Sequence, residues 1–140
     1  MLIVLIASIY QYGNVLSRIY SIYINRADGF WNYNIIPLKT IRNQIARPYL
    51  LYQLKRNFLV YIPMGVLISC IHKKPWLCIL ICSMFILAKE SLQFITLTGY
   101  FDIDDIIINL SGILLGIILY LLSELLWKLI AKVMAKMNQT

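Results

Sequence analysis

Long apolar runs separated by short polar stretches dominate the chain. They predict helices over about residues 2–24, 58–71, 76–97 and 106–127. Because a helix needs about 20 apolar residues to cross a bilayer, these runs with their flanks suit membrane spans. Residues 25–57 form the one long connection and predict a re-entrant or interfacial segment. We therefore expect an all-α, polytopic membrane bundle of about four transmembrane helices, with a single domain over residues 1–140.

The first apolar run begins directly at Met1 and then acquires Gln11, Asn14 and Arg18. It lacks the basic leader and the small-residue cleavage pattern of a secretory signal, so we interpret it as a first helix. Because no polar lead-in precedes the run, we expect the natural start of the protein to lie upstream.

Basic and aromatic residues alternate along the connection 25–57. This composition is typical of a segment at headgroup level, and we expect a short interfacial helix after Pro48. In the next run Pro63 removes a backbone donor, which predicts a kink near the beginning of that helix.

We expect four residues to contribute to helix packing. Two of them, Gly112 and Gly116, have the small-xxx-small spacing of close-packed membrane helices. The four residues are Pro63, Gly65, Gly112 and Gly116.

Composition supports a membrane protein. Hydrophobic residues make up 61% and charged residues 14% of the chain, against about 45–50% and about 25% in soluble domains. The net charge is +7, but the basic residues flank apolar runs instead of forming one basic surface with aromatic residues. We therefore expect membrane lipid, and no nucleic acid, as a partner. Lys73, Lys74 and the lysines of the C-terminal tail favour cytoplasmic termini, although the connection 25–57 carries a comparable number of basic residues on the opposite side. We prefer cytoplasmic termini because acidic residues on the side of the connection could engage its arginines within the fold.

The three cysteines lie within apolar runs, where cysteine behaves as a small hydrophobic residue. Cys78 and Cys82 are one helical turn apart, but no further Cys or suitably placed His completes a metal site. The sequence therefore predicts no metal, no cofactor and no disulfide framework.

Polar and acidic residues lie inside or beside the last two apolar runs. Charged groups at membrane depth are costly unless they are paired or face water, so they indicate a functional site. Glu90 and Gln93 share one face of the third predicted helix, and Arg56 is the expected partner of Glu90. Asp102, Asp105 and Asn109 share one face of the fourth, where Asp102 or Asp104 is a candidate helix cap. The predicted polar cavity comprises Asn34, Arg56, Asn57, Glu90, Gln93, Asp102, Asp105 and Asn109.

Four segments at matching intervals resemble the successive signatures of the VanZ-like membrane proteins. They are NIIPLKTI from Asn34 to Ile41, RNFLVYIPMG from Arg56 to Gly65, ESLQ from Glu90 to Gln93, and FDIDDIIINLSGILLG from Phe101 to Gly116. The resemblance implies a compact bundle of four or five helices in a bacterial cytoplasmic membrane. It also implies a link with resistance to the glycopeptide teicoplanin, with which the founding member is associated. The chain departs from the pattern at Lys39, where an aromatic residue is commoner.

Three functions remain open at this stage. The protein could bind an amphiphilic envelope molecule, such as a lipid-linked cell-wall precursor or a lipoglycopeptide. It could instead be a membrane enzyme acting on a lipid phosphate or ester, with Glu90 and Asp105 as acid and base or as ligands of a divalent cation. In the third interpretation the polar face only holds the bundle together, as buried polar groups in membranes can do.

Overall fold

The computed structural model describes residues 15–47 and 51–137. Its helices are Val15–Ala27 (α1), Lys39–Ile45 (α2), Leu51–His72 (α3), Pro75–Ile95 (α4) and Ile103–Met137 (α5). Two strands of two residues each, Tyr33–Asn34 (β1) and Phe101–Asp102 (β2), pair in parallel. The described part of the chain is thus a helix bundle, and the predicted all-α class is confirmed.

Three of the described helices, α3, α4 and α5, are long and apolar enough to cross a membrane. At about 1.5 Å per residue, α3 is about 33 Å long and α5 about 52 Å, whereas the hydrocarbon core is about 30 Å thick. Helix α5 is therefore longer than one crossing requires. Most of the predicted helix 2–24 lies outside the described residues, which begin with Val15, so a count of four spans stays a prediction.

Two helices are longer in the structure than the sequence predicts. The second apolar run is helical from Leu51 instead of from residue 58, and the fourth extends from Ile103 to Met137 instead of from 106 to 127. A helix satisfies its own backbone hydrogen bonds whatever the polarity of its side chains, so its ends continue past the apolar stretch. The short helix α2 lies before Pro48, not after it, and α3 continues through Pro63.

Helix α3 packs chiefly along α5, and α4 lies against both. A β-carbon on Gly65, Gly112 or Gly116 would collide with a backbone carbonyl of the facing helix. The two backbones therefore approach as closely as they do only because these positions carry no side chain. We call this contact the glycine seam. The core around it consists of Tyr61, Met64, Cys78, Cys82, Ile86, Ile106, Ile113 and Ile117.

The two ends of the bundle differ. A tight turn at residues 73–74 joins α3 to α4, and residues 96–102 join α4 to α5. The start of α3, the end of α4 and the start of α5 therefore lie at one end, which we call the cavity end. Both strands and α2 are attached there. The opposite end, which we call the lysine end, has Lys73, Lys74, Lys128, Lys132 and Lys136.

Candidate functional site

A cavity of about 680 Å³ lies at the cavity end. All five described helices and both strands contribute to its lining. Within that described lining, Ile22 is the one aliphatic side chain. The lining residues are Ser17, Arg18, Ser21, Ile22, Tyr33, Asn34, Lys39, Thr40, Gln44, Gln53, Asn57, Lys89, Gln93, Gly99, Tyr100, Asp102 and Asp105. We call this the polar cavity.

Asp102 joins three segments at one wall of the polar cavity. Its carboxylate accepts a hydrogen bond from the Asn34 amide at 3.0 Å and from the Thr40 hydroxyl at 2.6 Å. It also accepts the backbone N–H of Asp104 at 2.9 Å, which caps the start of α5. The parallel register of β1 and β2 places Asn34 directly beside Asp102. Asp102 therefore lies in β2, and not on the fourth helix as predicted.

Asp104 is fully buried and holds the short helix α2. Its carboxylate accepts the backbone N–H groups of Leu38 at 2.5 Å, Thr40 at 2.7 Å and Ile41 at 3.1 Å. These groups belong to the first turn of α2, which has no intrahelical acceptors for them and favours a negative charge. Asp104 thus caps α2 from across the fold, instead of capping its own helix.

Leu38 has a left-handed backbone conformation, with φ of 65°. For a residue other than glycine this conformation costs about 1–2 kcal/mol. The hydrogen bond from the Leu38 N–H to Asp104 offsets part of that cost. The bend that leads the chain into α2 therefore depends on a carboxylate more than sixty residues away in sequence.

Lys89, and not Arg56, is the partner of Glu90. The Lys89 Nζ lies 2.6 Å from Glu90 Oε1, with side-chain exposures of 7% and 0%. The Arg56 guanidinium lies over the ring of Tyr52, 5.7 Å from its centroid. Because α3 begins at Leu51, Arg56 lies on that helix, one turn after Tyr52. Its guanidinium contacts the Tyr52 ring and does not form an ion pair with Glu90. The predicted Arg56–Glu90 pair is therefore corrected to Lys89–Glu90.

Asp105 and Asn109 lie one helical turn apart on α5. Asp105 lines the polar cavity and accepts a hydrogen bond from the Asn57 amide at 3.1 Å. It also lies close enough to Lys89 to act on its charge. Asn109 is fully buried, and neither polar atom of its amide has a partner among the described residues. The polar face of α5 therefore continues from the cavity into the interior of the bundle.

Two arginines attach α1 to the last turn of α4 and to the segment that follows it. Arg18 donates to the Thr98 carbonyl at 2.8 Å, and Arg26 donates to the Phe94 carbonyl at 2.9 Å. The Arg26 guanidinium also lies 4.5 Å from the centroid of the Phe94 ring. Cation–π contacts and hydrogen bonds to carbonyls thus hold the wall of the cavity that α1 supplies.

The structure brings together five of the eight predicted cavity residues. Those that line the cavity are Asn34, Asn57, Gln93, Asp102 and Asp105. Those that do not are Arg56, Glu90 and Asn109. Residues not assigned to the cavity from sequence include Arg18, Lys39, Thr40, Gln44, Gln53 and Lys89. Lys89 could have been found from its position beside Glu90 in an apolar run. Gln53 depends on the early start of α3, and the remaining residues depend on how α1 and α2 fold back.

Groups that form hydrogen bonds line most of the polar cavity. Its lining offers amides, hydroxyls and both signs of charge, together with apolar surface from Ile22, two tyrosine rings and the stems of the long side chains. No three His, Cys, Asp or Glu side chains within residues 15–47 and 51–137 converge to hold a metal ion. The arrangement therefore suits a polar group with several donors and acceptors.

Long apolar helices that carry a polar cavity at one end define a membrane protein of the helix-bundle class. The chain belongs to the VanZ/LLP1 family, whose family model matches residues 1–127. No curated protein and no solved structure matches the chain significantly. The resemblance found in the sequence is therefore confirmed at the level of the family.

Proposed function

We propose that this protein binds the polar part of an amphiphilic envelope molecule and thereby lowers susceptibility to glycopeptide antibiotics such as teicoplanin. The observation that carries the proposal is a polar cavity of about 680 Å³ at the end of three long apolar helices. A polar head would enter the cavity, while the acyl chain would stay against the exposed apolar faces of the helices. A lipid-linked cell-wall precursor and a lipoglycopeptide both consist of a polar head and an apolar chain.

The proposal includes a location. We place the protein as a multi-pass protein in the bacterial cytoplasmic membrane, with its termini in the cytoplasm and the cavity end outside. Five lysines lie at the lysine end, and cytoplasmic loops carry an excess of Lys and Arg. The other eight basic residues lie towards the cavity end, so the preference depends on their engagement within the fold. At the cavity end, Arg18 and Arg26 bind backbone carbonyls within the fold. An outward cavity would meet wall precursors and drugs outside the cell.

A membrane enzyme using Glu90 and Asp105 is the second candidate. One observation favours it, since Asp105 lines the cavity and lies near Lys89. A general acid or base must come within hydrogen-bond reach of the reacting group. Glu90 is fully buried behind Lys89 and does not line the cavity, so it does not meet this condition. Binding is therefore the better supported function.

A purely structural role is the third candidate, and the buried Lys89–Glu90 pair is consistent with it. Such a pair contributes to a unique arrangement of helices without touching a ligand. The cavity distinguishes the two roles, because a polar face that served packing alone would be closed by side chains.

The test is expression in a susceptible Gram-positive host, with inhibitory concentrations of teicoplanin and vancomycin measured side by side. We expect the wild-type chain to raise the value for teicoplanin selectively, and Asp105→Asn to reduce that shift at an equal amount of membrane protein. Asp28→Asn is the matched control, because Asp28 is exposed and does not line the cavity. An unchanged teicoplanin value with well-expressed wild-type protein would refute the proposal.

A further inference from the structure

We propose that the head group taken up by the polar cavity is uncharged and rich in hydroxyl or amide groups, such as the glycosyl head of a lipid, and is not a bare phosphate. This inference rests on the proposed function, since it names the chemical class of the molecule bound there. Three features of the described cavity support it: the kind of polar groups in the lining, the balance of charge, and a side-chain amide that the fold does not use.

Neutral groups that both donate and accept hydrogen bonds form most of the lining. A carboxamide offers two N–H donors and one carbonyl acceptor, and a hydroxyl offers one donor and two acceptor sites. Sugar hydroxyls and acetamido groups have the same dual character, so this lining can satisfy them in both directions. A phosphate accepts only, so it could not donate to the amide carbonyl oxygens that face it. Those of Asn34 and Gln53 already accept hydrogen bonds from the Ile36 N–H and the Gln44 amide. The five carboxamides in the lining are Asn34, Gln44, Gln53, Asn57 and Gln93.

Positive and negative charges at the cavity nearly balance. Three cations line it, Arg18, Lys39 and Lys89, together with two carboxylates, Asp102 and Asp105. Two further carboxylates lie fully buried behind the wall, those of Asp104 and Glu90. An anion entering the cavity would lose its water without gaining a net positive field, which is unfavourable. A neutral head group pays no such cost.

Gln93 has an amide that the described fold leaves unused. None of the hydrogen bonds between described residues involves its side chain. The side chain packs against Gly99, where a β-carbon would lie 3.4 Å from Gln93 Cβ. Gln93 lines the cavity and its amide is not among the buried unpaired groups, so it stays accessible to a bound head group. Gln93 is therefore the residue we expect to discriminate head groups.

The experiment uses the full chain in nanodiscs that contain phosphatidylcholine and equal small amounts of diglucosyl diacylglycerol and phosphatidic acid. Native mass spectrometry then measures which lipid stays bound. We expect the glycolipid to be retained about tenfold over phosphatidic acid, which corresponds to about 1.4 kcal/mol. Gln93→Leu should reduce that ratio toward one, and Gln93→Lys should raise the share of phosphatidic acid. Asn43→Leu is the control, because Asn43 is an exposed amide on α2 outside the lining.

The outcomes separate this inference from the proposed function. Equal retention of the two lipids, or a preference for phosphatidic acid, would overturn the head-group class and leave amphiphile binding intact. Retention of neither lipid above phosphatidylcholine, together with unchanged teicoplanin susceptibility, would overturn both. A free disaccharide at the concentration of the glycolipid should not displace it, because it has no acyl chain. Displacement would overturn the assignment of a lipid-borne head.

Discussion

The glycine seam and the cavity end hold the same helices together by opposite means. At the seam, α3 and α5 touch backbone to backbone, and a single added carbon on Gly112 would meet the carbonyl oxygen of Phe58. At the cavity end, carboxylates bridge segments that lie more than sixty residues apart in sequence, as Asp102 does with Asn34 and Thr40. The seam leaves no space, whereas the cavity end encloses about 680 Å³.

The two regions of this short bundle therefore differ in packing. The seam is closed, and the cavity end leaves space that a ligand could occupy. Close packing in lipid requires small residues, since apolar side chains gain nothing over lipid tails. An open polar site requires instead that each buried charge be matched by donors or by an opposite charge. Substitutions at the seam should therefore act through size, and substitutions at the cavity end through polarity.

The largest effect is expected for Lys89→Met, which keeps the length of the side chain but removes the charge. Glu90 is fully buried and would lose its ion-pair partner. Removing one partner of a buried pair costs about 3–5 kcal/mol. The free energy of unfolding in detergent micelles measures this loss. The double variant Lys89→Met with Glu90→Leu should recover most of it, because no unpaired charge remains.

Lys128→Met is the control for Lys89→Met. Lys128 also pairs with a glutamate, Glu124, at 3.8 Å, but its side chain is 74% exposed. Exposed pairs contribute about 0–1 kcal/mol. Equal losses for the two lysine variants would show that burial of the Lys89–Glu90 pair has no bearing on stability.

Gly116→Leu tests the seam and should have the next largest effect. A β-carbon at this position would collide with the carbonyl oxygen of Ile62, and a helix backbone cannot yield as a flexible side chain can. We expect a loss of about 3 kcal/mol in the free energy of unfolding. Ala88→Leu is the control, since Ala88 lies on an exposed face of α4. A Gly116→Leu protein as stable as this control would contradict close backbone packing at the seam.

Asp104→Ala should have a smaller and more local effect. It removes the acceptor of three backbone N–H groups at the start of α2, which we expect to cost about 2 kcal/mol. Hydrogen exchange should accelerate most at Leu38, Thr40 and Ile41, with little change along the seam. The exposed Asp28→Ala serves as control. Slow exchange at these three amides in the variant would rule out the cap.

The membrane helices could be predicted from the sequence because hydropathy records the faces that meet lipid. The same signal placed the start of α3 seven residues late, since Lys55, Arg56 and Asn57 are polar although they are helical. Five of the eight predicted cavity residues line the cavity because polar groups at membrane depth are rare and therefore conspicuous. Glu90 was identified as a buried charge, but its partner was not.

The pairing of charges could not be predicted because neighbours on a helix point in directions about 100° apart. Only the long stem of Lys89 lets its ammonium reach Glu90 beside it. Of the two candidate caps of α5, Asp102 caps that helix and Asp104 does not, and the role of Asp104 could not be predicted for a related reason. A carboxylate near a helix start is usually read as a cap of that helix, and nothing in the local pattern shows that the chain folds α2 against it.

By itself, the sequence determined a membrane helix bundle, its family, and most of the polar groups at one end, because composition and periodicity are local properties. The tertiary structure decided which of these groups meet. Folding α1 and α2 back over the cavity end brought Arg18, Lys39 and Thr40 to carboxylates and amides far along the chain. Such contacts depend on how distant parts of the chain fold against one another, and no single stretch of sequence contains that information.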